Sequence, residues 1–413
     1  MNVFHAIESE VRSYCRAWPA VFDRAQGSWI HDEQGRAYLD FFTGAGSLNY
    51  GHNPPELKQA LLRYLERDGI AHSLDMFTTA KRAFLERFEE VILRPRGLDY
   101  RVQFPGPAGA NAVEAALKLA RKVTGRKLVV SFTNAFHGMT LGALAACGNA
   151  RTRATAGVPL PHHLVLRYDG SGDDRAAEQQ LAAVLSGSAG ERPAAVIVET
   201  VQGEGGVNVA SAAWLRRLAE LCERHRVLLI VDDVQMGCGR TGPFFSFEEA
   251  GITPDVVALS KSIGGYGLPM ALTLFKSDLD VWAPGEHNGT FRGPNPSFVT
   301  ATAALDFWAA GTMEKQTLAK GELVEELLAR LCAGNAVLGA MHRGRGLVWG
   351  LTFDADHLAA AVCAAAFERG LLVETSGPRD EVVKLLPPLT ATRDELAQGL
   401  DILADAVRAC AVP

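Results

Sequence analysis

The chain has 413 residues, 48% hydrophobic and 21% charged, with a formal net charge of −6. That is ample for a sizeable core in two domains and excludes wholesale disorder. The acidic balance argues against a nucleic-acid partner, because phosphate backbones recruit an excess of Lys and Arg, while a locally basic pocket for a small anionic metabolite stays compatible.

The first 30 residues hold a short helix candidate and a Pro-broken aromatic stretch. Their acidic, polar start does not read as a secretory or transit peptide, and no apolar run is long enough to span a bilayer. A soluble cytoplasmic protein without a membrane partner is expected. The seven cysteines form no CxxC pair and are odd in number, so neither a disulfide framework nor a metal cluster is expected. Residues 27–40 read as a hairpin around the turn residues Asp32 to Gly35. A glycine-rich segment, 41–55, leads into a helical pattern from Glu56 to Leu93, broken near Asp68-Gly69.

The centre changes rhythm. Apolar strands are expected at 129–132, 194–198, 227–231, 256–259 and 270–275, with helices at 111–122 and 212–225 between them. Most of these runs are continuously hydrophobic, the pattern of strands covered on both faces in a parallel sheet. The fold class is therefore α/β. After residue 300 helices are expected at 299–310, 313–331, 357–369 and 393–411, and strands at 347–353 and 382–386, reading as a smaller α+β lobe.

Ligands of such sheets sit beyond the carboxyl ends of the strands. Glu199 and Glu204, Asp232 and Asp233, and Lys261 follow three of the predicted strands. Solvated loop charges are the plain alternative. Successive side chains at a strand end diverge, so Asp232 and Asp233 cannot both face one ligand. The turn Gly106 to Asn111 opens a helix, where unpaired amides can hold a phosphate dianion. It is not a P-loop, since the GxxxxGK[ST] spacing is missing.

Motifs in fixed order now carry a resemblance. Gly109 to Ala115 is followed by Phe136-His137-Gly138, Glu199 to Gly206, Asp232-Asp233-Val234-Gln235, Ser260-Lys261 and Gly289-Thr290-Phe291. The chain resembles, over its whole length, the class III aminotransferases, which are pyridoxal-phosphate enzymes of fold type I. The wording of residues 9–16, 41–54, 131–142 and 383–390 is similar to the branch of that family acting on diaminobutyrate in ectoine biosynthesis. The resemblance implies a large domain with a mainly parallel seven-stranded sheet at 56–305. A smaller α+β domain would be made from 1–55 and 306–413. It implies pyridoxal 5′-phosphate as cofactor, amino-acid and 2-oxo-acid substrates, and at least a homodimer, with a tetramer compatible. Other ω-amino acid transaminases, for 4-aminobutyrate, ornithine or acetylornithine, stay open, as does a fold type I mutase or decarboxylase.

Residue by residue, the resemblance makes Lys261 the Schiff-base lysine and Asp232 the partner of the pyridine nitrogen, where a carboxylate favours the protonated ring. Val234 and Phe136 would cover the two ring faces, Gln235 would reach the phenolic oxygen, and His137 would support the cofactor. Gly109 and Ala110 would hold the phosphate, with Ala110 replacing the family's Ser or Thr. Thr290 would reach the partner copy's phosphate. Glu204 matches a glutamate that pairs with a carboxylate-binding arginine, but Lys384 stands at that arginine's place. Lysine cannot form arginine's planar fork. Lys384 either binds a substrate carboxylate beside Glu204 or ends a surface strand in solvent, and a second cation for the far carboxylate is not identifiable.

Overall fold

A computed structural model describes residues 3–172, 174–188 and 191–411. Its centre is a seven-stranded sheet in the order Tyr100–Gln103, Leu272–Lys276, Val256–Leu259, Leu228–Asp232, Ala195–Val198, Val129–Phe132, His163–Leu166. The strands at 129–132, 195–198 and 256–259 are buried at every residue. Their side chains alternate between two cores. Val129, Ala195, Ile197, Ile230 and Val256 pack on one side with Ala112, Val113, Ala116 and Leu117 of the helix Gly109–Thr124. Val130, Val196, Val198, Leu229 and Val231 pack on the other with Leu215, Leu218 and Leu221 of the helix Ala212–His225. Each such aliphatic side chain contributes roughly 1.5–3 kcal/mol of burial.

Pairing is parallel from Val256–Leu259 out to His163–Leu166. Leu272–Lys276 instead runs antiparallel to both neighbours, so the sheet is mainly and not wholly parallel, as expected. The link from Ser260 to Ala271 holds only the short 3₁₀ turn Lys261–Gly264, too little for the crossover that a parallel return requires. The strands 100–103 and 163–166 were not expected from their residues. Both are sheet edges. The helical stretch 56–93 resolves into Pro55–Glu66 and Thr79–Phe88, with irregular chain between.

The N-terminal strands Phe22–Gln26, Trp29–Asp32 and Ala37–Asp40 form a sheet completed by Leu371–Leu372. A second four-stranded sheet joins Met341–Arg345, Val348–Thr352, Val382–Leu385 and Glu374–Ser376. Its register sets Glu374 directly across from Lys384. The last helix, Arg393–Cys410, opens with a capping box in which Thr392 and Glu395 satisfy each other's backbone amides. Among the described residues no helix is long and apolar enough to cross a membrane.

Candidate active site

Three adjacent strands end at one cavity of about 180 Å³, lined by Gly109, Ala110, Phe136, His137, Glu199, Glu204, Asp232, Val234, Gln235 and Lys261, with Gly138 and Met236. Nine of the eleven residues to which the family resemblance gives a site role thus meet in one place. Lys384 stands one hydrogen bond behind Glu204. Thr290 is exposed and lies away from the cavity of its own chain, its carbonyl accepting from His72 Nε2 at 2.7 Å.

The two consecutive aspartates diverge as the strand geometry requires. Asp232 Oδ2 accepts from His137 Nδ1 at 2.7 Å, and its Oδ1 accepts from the Val234 amide at 3.2 Å. Asp233 turns away, fully buried, and accepts from both the amide and the hydroxyl of Ser246. Burial raises the Asp233 carboxyl to about 7 against those hydrogen bonds. His137 is itself buried, and its Nε2 has no partner.

Lys261 begins the turn after its strand with φ +53, a left-handed conformation that a β-carbon disfavours. Its Nζ donates to the Ala45 carbonyl at 2.8 Å. Burial lowers its pKa, opposed chiefly by the Glu204 carboxylate. Ala45 lies in a run of positive φ from Thr43 to Gly46. That run is pinned by the Thr43 amide on Asp40 Oδ1 and by the Ser262 hydroxyl on the Gly46 carbonyl. The Ala45 carbonyl also accepts from Gln235 Nε2 at 2.9 Å, and Gln235 donates on to Glu204 Oε1 at 3.0 Å.

Lys384 is fully buried, so it does not end a surface strand in solvent. Its Nζ is 2.7 Å from Glu204 Oε1 and 3.0 Å from Glu374 Oε1. Burial would lower its pKa, but the two carboxylates raise it instead. Burial would raise Glu204, and the charges of Lys384 and Lys261 outweigh it, holding this carboxyl at about 2. Burial wins at Glu374, whose pKa is raised despite Lys384. Glu199 is raised well above the usual range, first by burial and then by the charge of Asp232, and its Oε2 accepts from the Phe136 amide at 3.0 Å.

The cavity's donor set fits pyridoxal phosphate. A carboxylate, a lysine amine and a valine–phenylalanine pair surround one space at the first turn of a sixteen-residue helix. The opening amides of that helix have no intrahelical partner. A β-carbon at Gly109 would stand 2.8 Å from Val234 Cγ1, so this turn approaches the valine as only glycine permits. Residues 13–407 match the family model Aminotransferase class-III. The chain belongs to the class-III aminotransferases. Its architecture is fold type I and its cofactor is pyridoxal phosphate.

This class-III aminotransferase is 66% identical over 99% of its length to a diaminobutyrate–2-oxoglutarate transaminase of Streptomyces anulatus, covering 98% of that protein. It is 65% identical to one of Nocardia farcinica, covering 98% of this chain and 94% of that one. Among solved structures it is similar to an amine transaminase from an uncultivated Pseudomonas species in its PLP-bound form. The TM-score is 0.85 and the identity 28%, with 98% of each chain covered.

Glu199, marked in the sequence only by its strand-end position, lines the cavity, whereas Glu374 and the Ala45 carbonyl carry no such mark. An acidic residue within the apolar run Leu371-Leu-Val-Glu374 was the available signal for Glu374, since an unpaired carboxylate there would be costly. The carbonyl of Ala45 left no signal in residue type. No arginine lines the cavity among the described residues.

Proposed function

We propose that this enzyme transfers the γ-amino group between L-2,4-diaminobutyrate and 2-oxoglutarate, with L-aspartate 4-semialdehyde and L-glutamate on the other side. The observation that carries this reading is the identity of about two residues in three, along the whole chain, with the Streptomyces anulatus enzyme of that activity. The biosynthetic direction consumes the semialdehyde. Bound pyridoxal phosphate supplies the carbonyl that receives the amine and the ring that stores the electron pair. Lys261 Nζ holds the cofactor between turnovers and moves the proton at the amine-bearing carbon. Asp232, steadied by His137, keeps the pyridine nitrogen protonated. Gly109 and Ala110 hold the phosphate through backbone amides, and Val234 and Phe136 confine the ring. Gln235 would reach the phenolic oxygen by releasing one of the two bonds its amide now makes, to the Ala45 carbonyl and to Glu204.

The two substrates differ in how far the carboxylate lies from the reacting amine. Diaminobutyrate reacts at its γ-amine, leaving its carboxylate distant. Glutamate reacts at its α-amine, bringing one carboxylate near. Lys384 receives that near carboxylate, and Glu204 occupies the lysine when none is present. A lysine point charge tolerates this exchange of partners better than an arginine fork. The test is product formation from a donor panel with 2-oxoglutarate. Diaminobutyrate should be the preferred donor by at least about tenfold in kcat/KM, or 1.4 kcal/mol. Preference for ornithine or 4-aminobutyrate would refute the substrate assignment.

Two copies pair. Phe291, next to Thr290, is 65% exposed, and the segment tied to this turn by the Asp75–Arg292 ion pair carries Met76 and Phe77, which are 57% and 101% exposed. The His72 ring stands edge-on to Phe291 at 5.3 Å and fixes the Thr290 carbonyl. An apolar patch of this kind beside a residue expected to serve the neighbouring phosphate fits an isologous interface. A fully active monomer in light scattering at low concentration would exclude it.

A further inference from the structure

Lys384 has two carboxylate neighbours of different character. Glu204 is the accessible one, with 29% of its side chain exposed, and it makes an aligned hydrogen bond to Nζ. Glu374 is buried, with 7% of its side chain exposed, and faces Lys384 from the next strand. Its Oε1 stands 3.0 Å from Nζ in a buried ion pair. It therefore holds a negative charge at a fixed place beside the lysine. Glu204 lines the cavity and can leave the lysine, whereas Glu374 belongs to a strand paired along its length.

We propose that Glu374 is a positioning residue for substrate exchange. It is the fixed counter-ion of Lys384, and it weakens the lysine's hold on whichever carboxylate takes the second place. That place passes between Glu204 and the near carboxylate of the dicarboxylate substrate. The ammonium is never left buried and unpaired while Glu204 moves aside, a state that would be strongly disfavoured. Nor does it bind the incoming carboxylate so tightly that the product stays. This inference rests on the assignment of Lys384 as a carboxylate receptor.

The experiment is calorimetric binding of glutarate, a dicarboxylate without a reacting amine or oxo group, to the holoenzyme. It is done in a Glu204→Gln background, where the competing internal carboxylate is gone. Adding Glu374→Gln should tighten glutarate by about tenfold, the order expected when a like charge within several Å of the bound anion is removed. Adding Glu374→Asp, which keeps the charge, should leave the affinity within about threefold of the Glu204→Gln parent. Adding Lys384→Met should weaken glutarate by at least about tenfold. If Lys384→Met weakens binding while Glu374→Gln leaves it unchanged or weaker, the role of Glu374 is refuted and that of Lys384 stands. If Lys384→Met changes nothing, the receptor assignment itself fails.

Discussion

Replacing Lys384 by methionine keeps most of the side-chain volume and removes the ammonium from between two carboxylates. Glu374 would then keep its burial and lose the cation at 3.0 Å, and Glu204 would lose the one at 2.7 Å. Breaking a buried ion pair by deleting one partner typically costs about 3–5 kcal/mol, because a charge is left without compensation. Part of that cost is avoided wherever a carboxylate can take up a proton. Glu374 already has a raised pKa, and loss of the cation raises it further. A carboxyl raised on folding binds more protons in the folded state, so stability falls as pH rises from the unfolded value near about 4.3 to the folded pKa. Glu204 moves the same way. The wild-type protein holds it at about 2, so its contribution is present above the unfolded value, and the variant loses that contribution. That loss is already in force by about pH 5, just above the unfolded value, so the further widening of the deficit toward pH 8 comes from Glu374. In thermal melts of the holoenzyme the variant should fall short of wild type by roughly 3–10 °C at pH 8, from about 1–2 °C per kcal/mol for a long chain. At pH 5 the shortfall should be measurably smaller, because the Glu374 part is then largely absent. Equal deficits at the two pH values, or none, would refute the buried-charge reasoning.

Asp232→Asn should cost about 10²-fold or more in rate with little change in melting temperature, since a charge beside the reacting system is lost. Asp233→Asn should do the reverse, because its two bonds from Ser246 serve the fold; steady-state rates and melts of the pair decide this. Lys261→Ala should lack the visible absorbance of a protein–cofactor imine, and persistence of that band would exclude Lys261. Gly109→Ala should weaken cofactor binding by at least about tenfold, because its β-carbon would crowd Val234, as fluorescence titration of the apoenzyme with pyridoxal phosphate would measure.

The buried centre of the fold was legible because residues covered on both faces read as unbroken apolar runs, as at 129–132, 195–198 and 256–259. The edge strands were not. Tyr100–Gln103 carries exposed Arg101, and His163–Leu166 has a single buried residue, so neither shows that run. Direction was legible only where a helix intervenes, so the apolar run of Leu272–Lys276 carries no sign of its reversal. Within the site, the strand-end acids and lysine could be placed by position, and the divergence of Asp232 from Asp233 followed from the period of a strand. The surroundings of Lys384 could not, because Glu374 meets it through sheet register across residues with no local periodic signal. The Ala45 carbonyl is a backbone group, aimed by a left-handed run that alanine and threonine do not announce.

The central claim is that one pocket serves both substrates because Lys384 exchanges Glu204 for a near substrate carboxylate. It is tested most directly by following the cofactor spectrum through each half-reaction separately, in wild type and in Lys384→Ala. The variant should lose at least about tenfold more rate with glutamate than with diaminobutyrate, a differential of 1.4 kcal/mol. Equal losses in both halves, or no loss in either, would show that the near carboxylate is held by another group.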